Sequence, residues 1–419
     1  MQRLMRTATV LAAALFLAGA LAAQNPPPDS ALRRQQRTLD SLVVVIRGLQ
    51  TRIDSLERAR ARGDTTAGAG DELAALRAAA TAASADSSAA AGAPRQARLG
   101  QNALNPEISV TGDIRANAYH PGPQTDNFVP REFEFGFQSA LDPYATAKVF
   151  VSAEQGGIDI EEGYLYFPVL PGHFRLDIGR FRQDIGELNR WHLHAVPEDE
   201  YPLVIRRYAS DDGLAATGAS LYWPLPFSGK AGTYELYVQG TTGTNEVMYL
   251  GGNRPSITSK LAGFWNLGRS AYFMASISGA YGTNPDSSLK TTTAVVATRF
   301  TWRPPQQGQA REFTIRSEVW SLHREFAGTG PTRLGGYVGA TWKLNRRFII
   351  GARGDYVQSP DPVVSAHEWA VTPTFTYWQS EFVFLRALWE HLHGVAGANT
   401  DRFTIQAVFA MGPHKHELF

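Results

Sequence analysis

From Ile108 to Met411 the chain repeats one pattern: segments of about ten residues in which apolar and polar side chains alternate. Ile108, Val110, Gly112, Ile114, Ala116 and Ala118 alternate with Ser109, Thr111, Asp113, Arg115, Asn117 and Tyr119. Phe133, Phe135 and Phe137 alternate with Glu132, Glu134 and Gln138, and Phe403, Ile405, Ala407 and Phe409 with Thr404 and Gln406. A period of two puts one residue class on each face of an extended strand. Sixteen such segments with wholly apolar faces rich in Phe, Tyr and Trp would expose too much apolar surface in water. The pattern therefore predicts an all-β fold: a transmembrane antiparallel β-barrel of about 16 strands, with lipid as the solvent of its outer face.

The connections set the topology. Short turns fall near 141–144, 168–172, 224–229, 267–269, 303–310, 344–346 and 378–380. Longer connections fall at 120–130, 155–159, 181–212, 241–255, 282–289, 324–333, 358–366 and 392–400. Seven turns and eight loops make sixteen strands with both ends on the short-turn side, which faces the periplasm in bacterial barrels. Tyr222, Trp223, Trp265, Trp302, Trp342 and Trp378 lie near the short turns, where an interfacial girdle is expected. Strand 160–167 is ambiguous, because both of its faces mix aromatic and acidic residues. In strand 380–391, placing Val383, Leu385, Ala387 and Trp389 outward puts Phe382 and Phe384 inside beside Arg386 and Glu390.

The N-terminal quarter is different. Residues 1–23 read as a secretory signal, with Arg3 and Arg6, an apolar run and an Ala20-Leu21-Ala22 exit. Residues 30–62 carry heptads: Leu32, Leu39, Ile46 and Ile53 are seven apart, as are Gln35, Leu42, Leu49 and Leu56. That spacing predicts an α-helical coiled coil, or a single amphipathic helix on a surface. Residues 63–103, rich in Ala, Gly, Ser and Thr, read as a flexible linker. Residues 104–419 hold the barrel, so the coil would hang in the periplasm.

Composition excludes several functions. The 419 residues include no Cys, so neither disulfides nor a thiolate site is available. A net charge of +1 argues against a nucleic-acid partner. Beyond residue 103 the chain has 27 basic and 31 acidic residues, and only six of the 27 are Lys. No nucleophile elbow, P-loop or HExxH motif is present. Ser210-Asp211-Asp212 near His192 is the weak remaining option for catalysis, so the expectation is that the chain is not an enzyme and needs no cofactor beyond a possible divalent metal.

The segment from Phe181 to Asp212 interrupts the strand pattern after the fifth strand and is dense in charge. As the third outer loop it is placed to fold into the lumen. It holds Arg182, Arg190, Arg206 and Arg207 against Asp184, Glu187, Glu198, Asp199, Glu200, Asp211 and Asp212. On the strands, Asp113/Arg115, Arg175/Asp177, Arg316/Glu318 and Arg353/Asp355 are spaced i, i+2, so each pair shares one face. They either line a wet pore with both signs or neutralise one another along adjacent strands. His192/His194, His391/His393 and His414/His416 form H-x-H pairs. Two imidazoles on one side of an extended chain can share a transition metal, and His192/His194 has acidic residues close behind it. The alternative is a polar, solvated loop.

Gly179-Arg180-Phe181 followed by Gly186, together with the signal, coil, linker and barrel, resembles the phosphate-selective porin O/P superfamily and its DcaP-like relatives. The resemblance implies a homotrimer in the outer membrane, with an inward-folded third loop and Arg180, Arg182, Arg190, Arg206 and Arg207 lining the constriction. The acid-leaning loop and the Lys-poor barrel depart from a dedicated phosphate ladder. The segment Asn189–Pro202, with its H-x-H-x-x-P, is also similar to outer-membrane proteins described as zinc-regulated receptors, and Phe419 resembles a terminal aromatic read by barrel-assembly machinery. Three functions are consistent with these features. The first is an outer-membrane porin passing small hydrophilic, charged solutes. The second is a receptor or uptake channel for a divalent metal such as zinc. The third is an envelope-tethering structural barrel.

Overall fold

The computed structural model describes residues 106–121, 128–227, 232–285, 289–326, 330–395 and 397–412. The signal, coiled-coil and linker expectations, His414/His416 and Phe419 lie outside the described residues. Sixteen strands run from β1 (Glu107–His120) to β16 (Asn399–Met411). Each pairs antiparallel with its neighbours in sequence, and β1 pairs β16 (Asp113 opposite Val408, Arg115 opposite Gln406), which closes the barrel. Closure leaves no unpaired edge, as a lipid environment requires.

Alternation in sequence becomes inside and outside. Ile108, Ile114, Phe137, Ile277, Val319 and Ile405 are exposed on the outer wall, while Thr111, Asp113, Arg115, Glu132, Glu134 and Lys148 are buried toward the lumen. A Lys or Arg turned to lipid at mid-membrane would cost ~2–4 kcal/mol, so a slip of one residue in any strand is strongly opposed. Phe384 faces inward with Arg386, as its strand's parity required.

Two expectations need correction. The connection placed at 155–159 is only Gln155-Gly156, because Glu154 pairs Gly157 across a two-residue turn that the glycines permit. In the expected aromatic belt, Trp223, Trp265, Trp302 and Trp342 alternate with lumenal residues, but Tyr222 and Trp378 are themselves lumenal. Tyr222 bonds the inward Glu235 at 3.1 Å, and Trp378 packs on Phe384 with ring centroids 4.8 Å apart. The ambiguity of strand β4 (Gly157–Leu170) has a geometric cause. Phe150 pairs Glu162 and Val151 pairs Ile160, so Glu161 is an extra residue in the ladder. That bulge turns both Glu161 and Glu162 inward.

Candidate functional site in the barrel lumen

The third outer connection joins β5 (Phe174–Arg182) to β6 (Ala215–Pro224) and contains a short helix α1 (Leu203–Tyr208). Its base is clasped. The Gln183 amide donates to the Leu214 carbonyl at 2.9 Å. Asn189 Nδ2 donates to the carbonyls of Gln183 (2.8 Å) and Leu214 (3.0 Å), and its Oδ1 accepts from the Leu214 amide at 2.7 Å.

Six residues are too few for an isolated helix in water. Helix α1 forms because its apolar side chains have somewhere to go. Leu203, Val204, Ile205 and Tyr208 are fully buried against Val295, Trp320, Leu322, Val357 and Ala370 of the wall, and against Met248 and Tyr249 of helix α2 (Glu246–Tyr249) in the next outer loop. Each such aliphatic side chain contributes roughly 1.5–3 kcal/mol. The first turn is capped from the wall: Asp355 accepts from the Leu203 amide at 3.1 Å.

Glu198, Asp199 and Glu200 meet arginines of the barrel wall. Asp199 accepts from Arg402 and Arg115, each at 3.2 Å, and its carbonyl accepts from Arg131 at 2.8 Å. Glu198 accepts from Arg353 at 2.8 Å, and its carbonyl is bonded by Arg386. Glu200 pairs Arg206 at 2.7 Å, and its carbonyl accepts from Arg353 at 2.9 Å. Burial alone would raise the Asp199 carboxyl, but the charges of Arg402 and Arg115 hold it well below its usual range. Burial is likewise overcome at Glu200, which Arg206 and Arg402 lower to about 2.

Across the lumen the contacts continue. Glu318 accepts from the amides of Glu187 and Leu188, both at 2.9 Å, and Glu187 pairs Arg299 at 2.7 Å. Gly186 has φ +63 and sits against the Glu318 carboxylate, where a Cβ would collide with it. The Gly186 amide donates to Ser278 at 2.9 Å, and Asp184 accepts from Gln239 at 2.8 Å. Arg207 reaches Glu368 at 2.6 Å.

Near the start of the loop the arrangement reverses. His192 and His194 enter a group of wall carboxylates: Glu132 and Glu134 from β2 (Phe128–Ala140), and Glu161 and Glu162 from β4. His192 Nδ1 contacts Glu134 and lies 3.2 Å from Glu161, while its Nε2 lies 3.6 Å from Glu162. His194 Nδ1 lies 3.9 Å from Glu134. Phe150 packs on the His192 ring, with Lys148 5.2 Å from the Phe150 centroid. Burial opposes charge on His192, but the Glu134 and Glu161 carboxylates outweigh it and raise its pKa well above the usual value. Arg182 pairs Glu161 and donates to Tyr201 at 2.9 Å.

The four i, i+2 pairs therefore divide. Asp113/Arg115 (3.1 Å) and Arg353/Asp355 (2.7 Å) pair internally and also hold the loop. Arg316 and Glu318 each turn to the loop instead: Glu318 accepts its amides, and Arg316 lies over the Trp191 ring, 5.4 Å from its centroid. Arg175 and Asp177 follow the second reading of such pairs, mutual neutralisation along the strand. Asp177 is buried in the wall, in the short-turn half of β5, opposite Tyr166 of β4 and Ser220 of β6. Its carboxylate accepts from Arg175 Nε at 2.8 Å, and the Arg175 guanidinium lies over the Tyr166 ring, 4.7 Å from its centroid. Asp177 and Arg175 thus neutralise one another along the wall, because the spacing that turns both inward also lets each satisfy the other.

Arg190 pairs Asp184 at 3.1 Å and Arg206 lies within 3.7 Å of Glu390, so the expected constriction arginines are paired with acids. Arg180 stands apart from them. Its Nε donates to the Ile160 carbonyl at 2.8 Å, and it lines a cavity of ≈ 320 Å³ with Glu154, Asp159, Glu161 and Asp212. His391 and His393 do not converge on an acidic cluster; they bond Asp401 at 2.8 Å and Asn399 at 2.7 Å. On the short-turn side, a cavity of ≈ 770 Å³ is lined by Arg299, Arg303, Arg316 and Arg386 with Glu312 and Glu381. Among the partners that the sequence did not single out are Arg131, Arg402, Glu162, Gln239, Ser278 and Glu368. Strand parity was the available signal: Phe403 and Ile405 outward put Arg402 inward.

No family model matches the chain. An uncharacterized protein of Aquifex aeolicus is 30% identical over 96 residues, which is 22% of this chain and 20% of that protein, so the match spans about a fifth of the relative's length. Among solved structures, OprB of Pseudomonas putida is similar at TM-score 0.52 and 9% identity, over 75% of this chain and 96% of that one. OmpF of Salmonella typhi, in complex with daunomycin, is similar at 0.52 and 8%, over 74% and 99%. A loop L8 deletion mutant of OmpT, an outer membrane protein of Vibrio cholerae, is similar at 0.50 and 12%, over 74% and 100%. At these identities the likeness is one of fold, and the fold is a porin-like closed barrel of sixteen strands.

Proposed function

We propose that this chain is an outer-membrane channel of the porin type, a non-enzymatic barrel through which small hydrophilic, charged solutes diffuse. In this reading the connection between β5 and β6 is its constriction. The observation that carries it is the seat of that segment. It is bonded to Arg115 and Arg402 on one part of the wall and to Ser278, Arg299 and Glu318 on another, so it lies across the lumen. A homotrimer in the outer membrane belongs to the same reading.

The charge pattern argues against a simple anion filter. Arg115, Arg353 and Arg402 meet Glu198 and Asp199, and the loop's own Arg190, Arg206 and Arg207 meet Asp184, Glu200 and Glu368. The space toward the short turns mixes both signs, as does the smaller outer cavity. A path of mixed sign orients polar solutes without rejecting one ion class steeply. The envelope-tethering alternative rests on residues 30–62, outside the described ones.

Planar-bilayer recording of the purified protein tests the proposal. Stable open conductance in steps of three is expected, with a reversal potential near zero in a salt gradient. Absence of conductance contradicts the channel, and steep anion selectivity contradicts the reading of neutralised arginines.

A further inference from the structure

Among the described residues, the His192–His194 cluster is where imidazole and carboxylate ligand atoms converge. Two overlapping groups of ligand atoms converge there: Glu132, Glu134 and His194, and Glu134, Glu161 and His192. Within each group all the ligand atoms lie within 4.8 Å of one another. Glu134 belongs to both. Ligand atoms held at the ~2.0–2.1 Å bond lengths of a tetrahedral zinc site lie about 3.3 Å apart, so small side-chain adjustments would bring these atoms into a coordination shell.

A second observation points to an absent cation. Oε1 of Glu132 and Oε1 of Glu134 are buried and accept no hydrogen bond, in side chains that are 3% and 1% exposed. A buried carboxylate oxygen without a donor is costly. Glu132 hydrogen-bonds Glu161 and His192 meets Glu134, yet both Oε1 atoms are left without a donor. A metal ion between the carboxylates and imidazoles would supply the missing positive charge at the point where these atoms converge.

We propose that Glu132, Glu134, Glu161, His192 and His194 form a resident site for a divalent first-row transition metal, which clamps the loop to strands β2 and β4. Two imidazole nitrogens among carboxylates favour zinc and its neighbours over calcium or magnesium, which take all-oxygen shells. Arg182 occupies part of Glu161, so Glu134 and the two histidines are the core of the set. The burial of every one of these groups but Glu161 fits an ion held in place better than one in transit. This site goes beyond the channel reading and does not depend on it.

Isothermal titration of zinc chloride into the full-length, chelator-stripped protein in detergent tests the site. One zinc per chain is expected, with calcium and magnesium failing to compete. The isosteric Glu134→Gln and the double variant His192→Ala/His194→Ala should each weaken binding by about tenfold or more, since even a supporting partner of a metal ligand is worth roughly 10–100-fold. Heat-modifiable electrophoretic mobility verifies that each variant is a folded barrel. Wild-type affinity in both folded variants, no zinc uptake by the wild type, or equal binding of calcium would overturn the proposal. None of these outcomes bears on conductance, so a failed site and a failed channel remain distinguishable.

Discussion

At Glu198–Glu200 the loop brings carboxylates to a wall of arginines, and at His192–His194 it brings imidazoles to a wall of carboxylates. The two regions are separated by only a few residues of chain. In the first, the acceptors find donors from the wall: Arg115, Arg353 and Arg402 reach carboxylates, and Arg131 and Arg386 reach carbonyls. In the second, two carboxylate oxygens are left over. The difference separates a contact that the protein completes alone from one that calls for a cation. It also shows why a count of arginines misleads: a wall arginine already bonded to a buried loop acid offers little to a passing anion.

The comparison can be broken most forcefully on its satisfied side. Asp199→Asn would leave Arg115 and Arg402 buried against a neutral amide. Breaking a buried pair on one side costs about 3–5 kcal/mol. Hydrogen exchange at the amides of residues 198–205 should accelerate accordingly, and exchange unchanged from wild type would show that the arginines do not hold the loop. Gly186→Ala is next. Its φ of +63 disfavours an L side chain by roughly 1–2 kcal/mol, and the new Cβ meets Glu318. Faster exchange at Glu187 and Leu188, whose amides Glu318 accepts, is the expected result.

On the unsatisfied side the sign should reverse. Glu132→Gln in metal-free protein replaces a buried carboxyl that has an unbonded oxygen and faces Glu134 and Glu161 with a neutral amide of the same shape. Stability should rise by about 1 kcal/mol or less, the scale of one relieved polar defect. A loss comparable to that of Asp199→Asn would erase the distinction between the two regions. The smallest effect is that of pH between neutrality and pH 5. Glu200 has a folded pKa depressed to about 2 against ~4.3 for a free Glu. Its contribution is therefore complete above pH ~4.3 and is lost as pH falls toward 2, and Asp199 follows the same sign. Loop protection, taken relative to the intrinsic pH dependence of amide exchange, should be flat from neutrality to pH 5 and fall only in strong acid.

Much of the wall was legible because a period of two leaves each residue only two choices, and lipid on one side decides between them. The inward placement of Asp113, Arg115, Glu134, Glu318 and Arg353 follows from that alone. Parity also turned Asp177 inward, but it carries no information on height along the barrel axis, so it could not separate a wall pair from a constriction pair. Parity failed where the ladder gains a residue: the bulge at Glu161 turns two consecutive acids to the lumen, which alternation cannot express. The loop's position was legible from its length and order, but its partners were not. Asp199 and Arg402 are 203 residues apart, and no spacing rule links them. The H-x-H at His192 marked a place where metal ligands could gather, whereas the carboxylates that complete the set come from β2 and β4 and are visible only once the barrel closes.

The central claim is that the segment between β5 and β6 occupies the lumen and governs passage. Single-channel conductance of the wild type against a variant in which residues 184–212 are replaced by a short Gly/Ser linker tests it most directly. The account predicts a low wild-type conductance that rises several-fold in the variant, with both proteins folded by heat-modifiable mobility. Equal conductance in the two would contradict it.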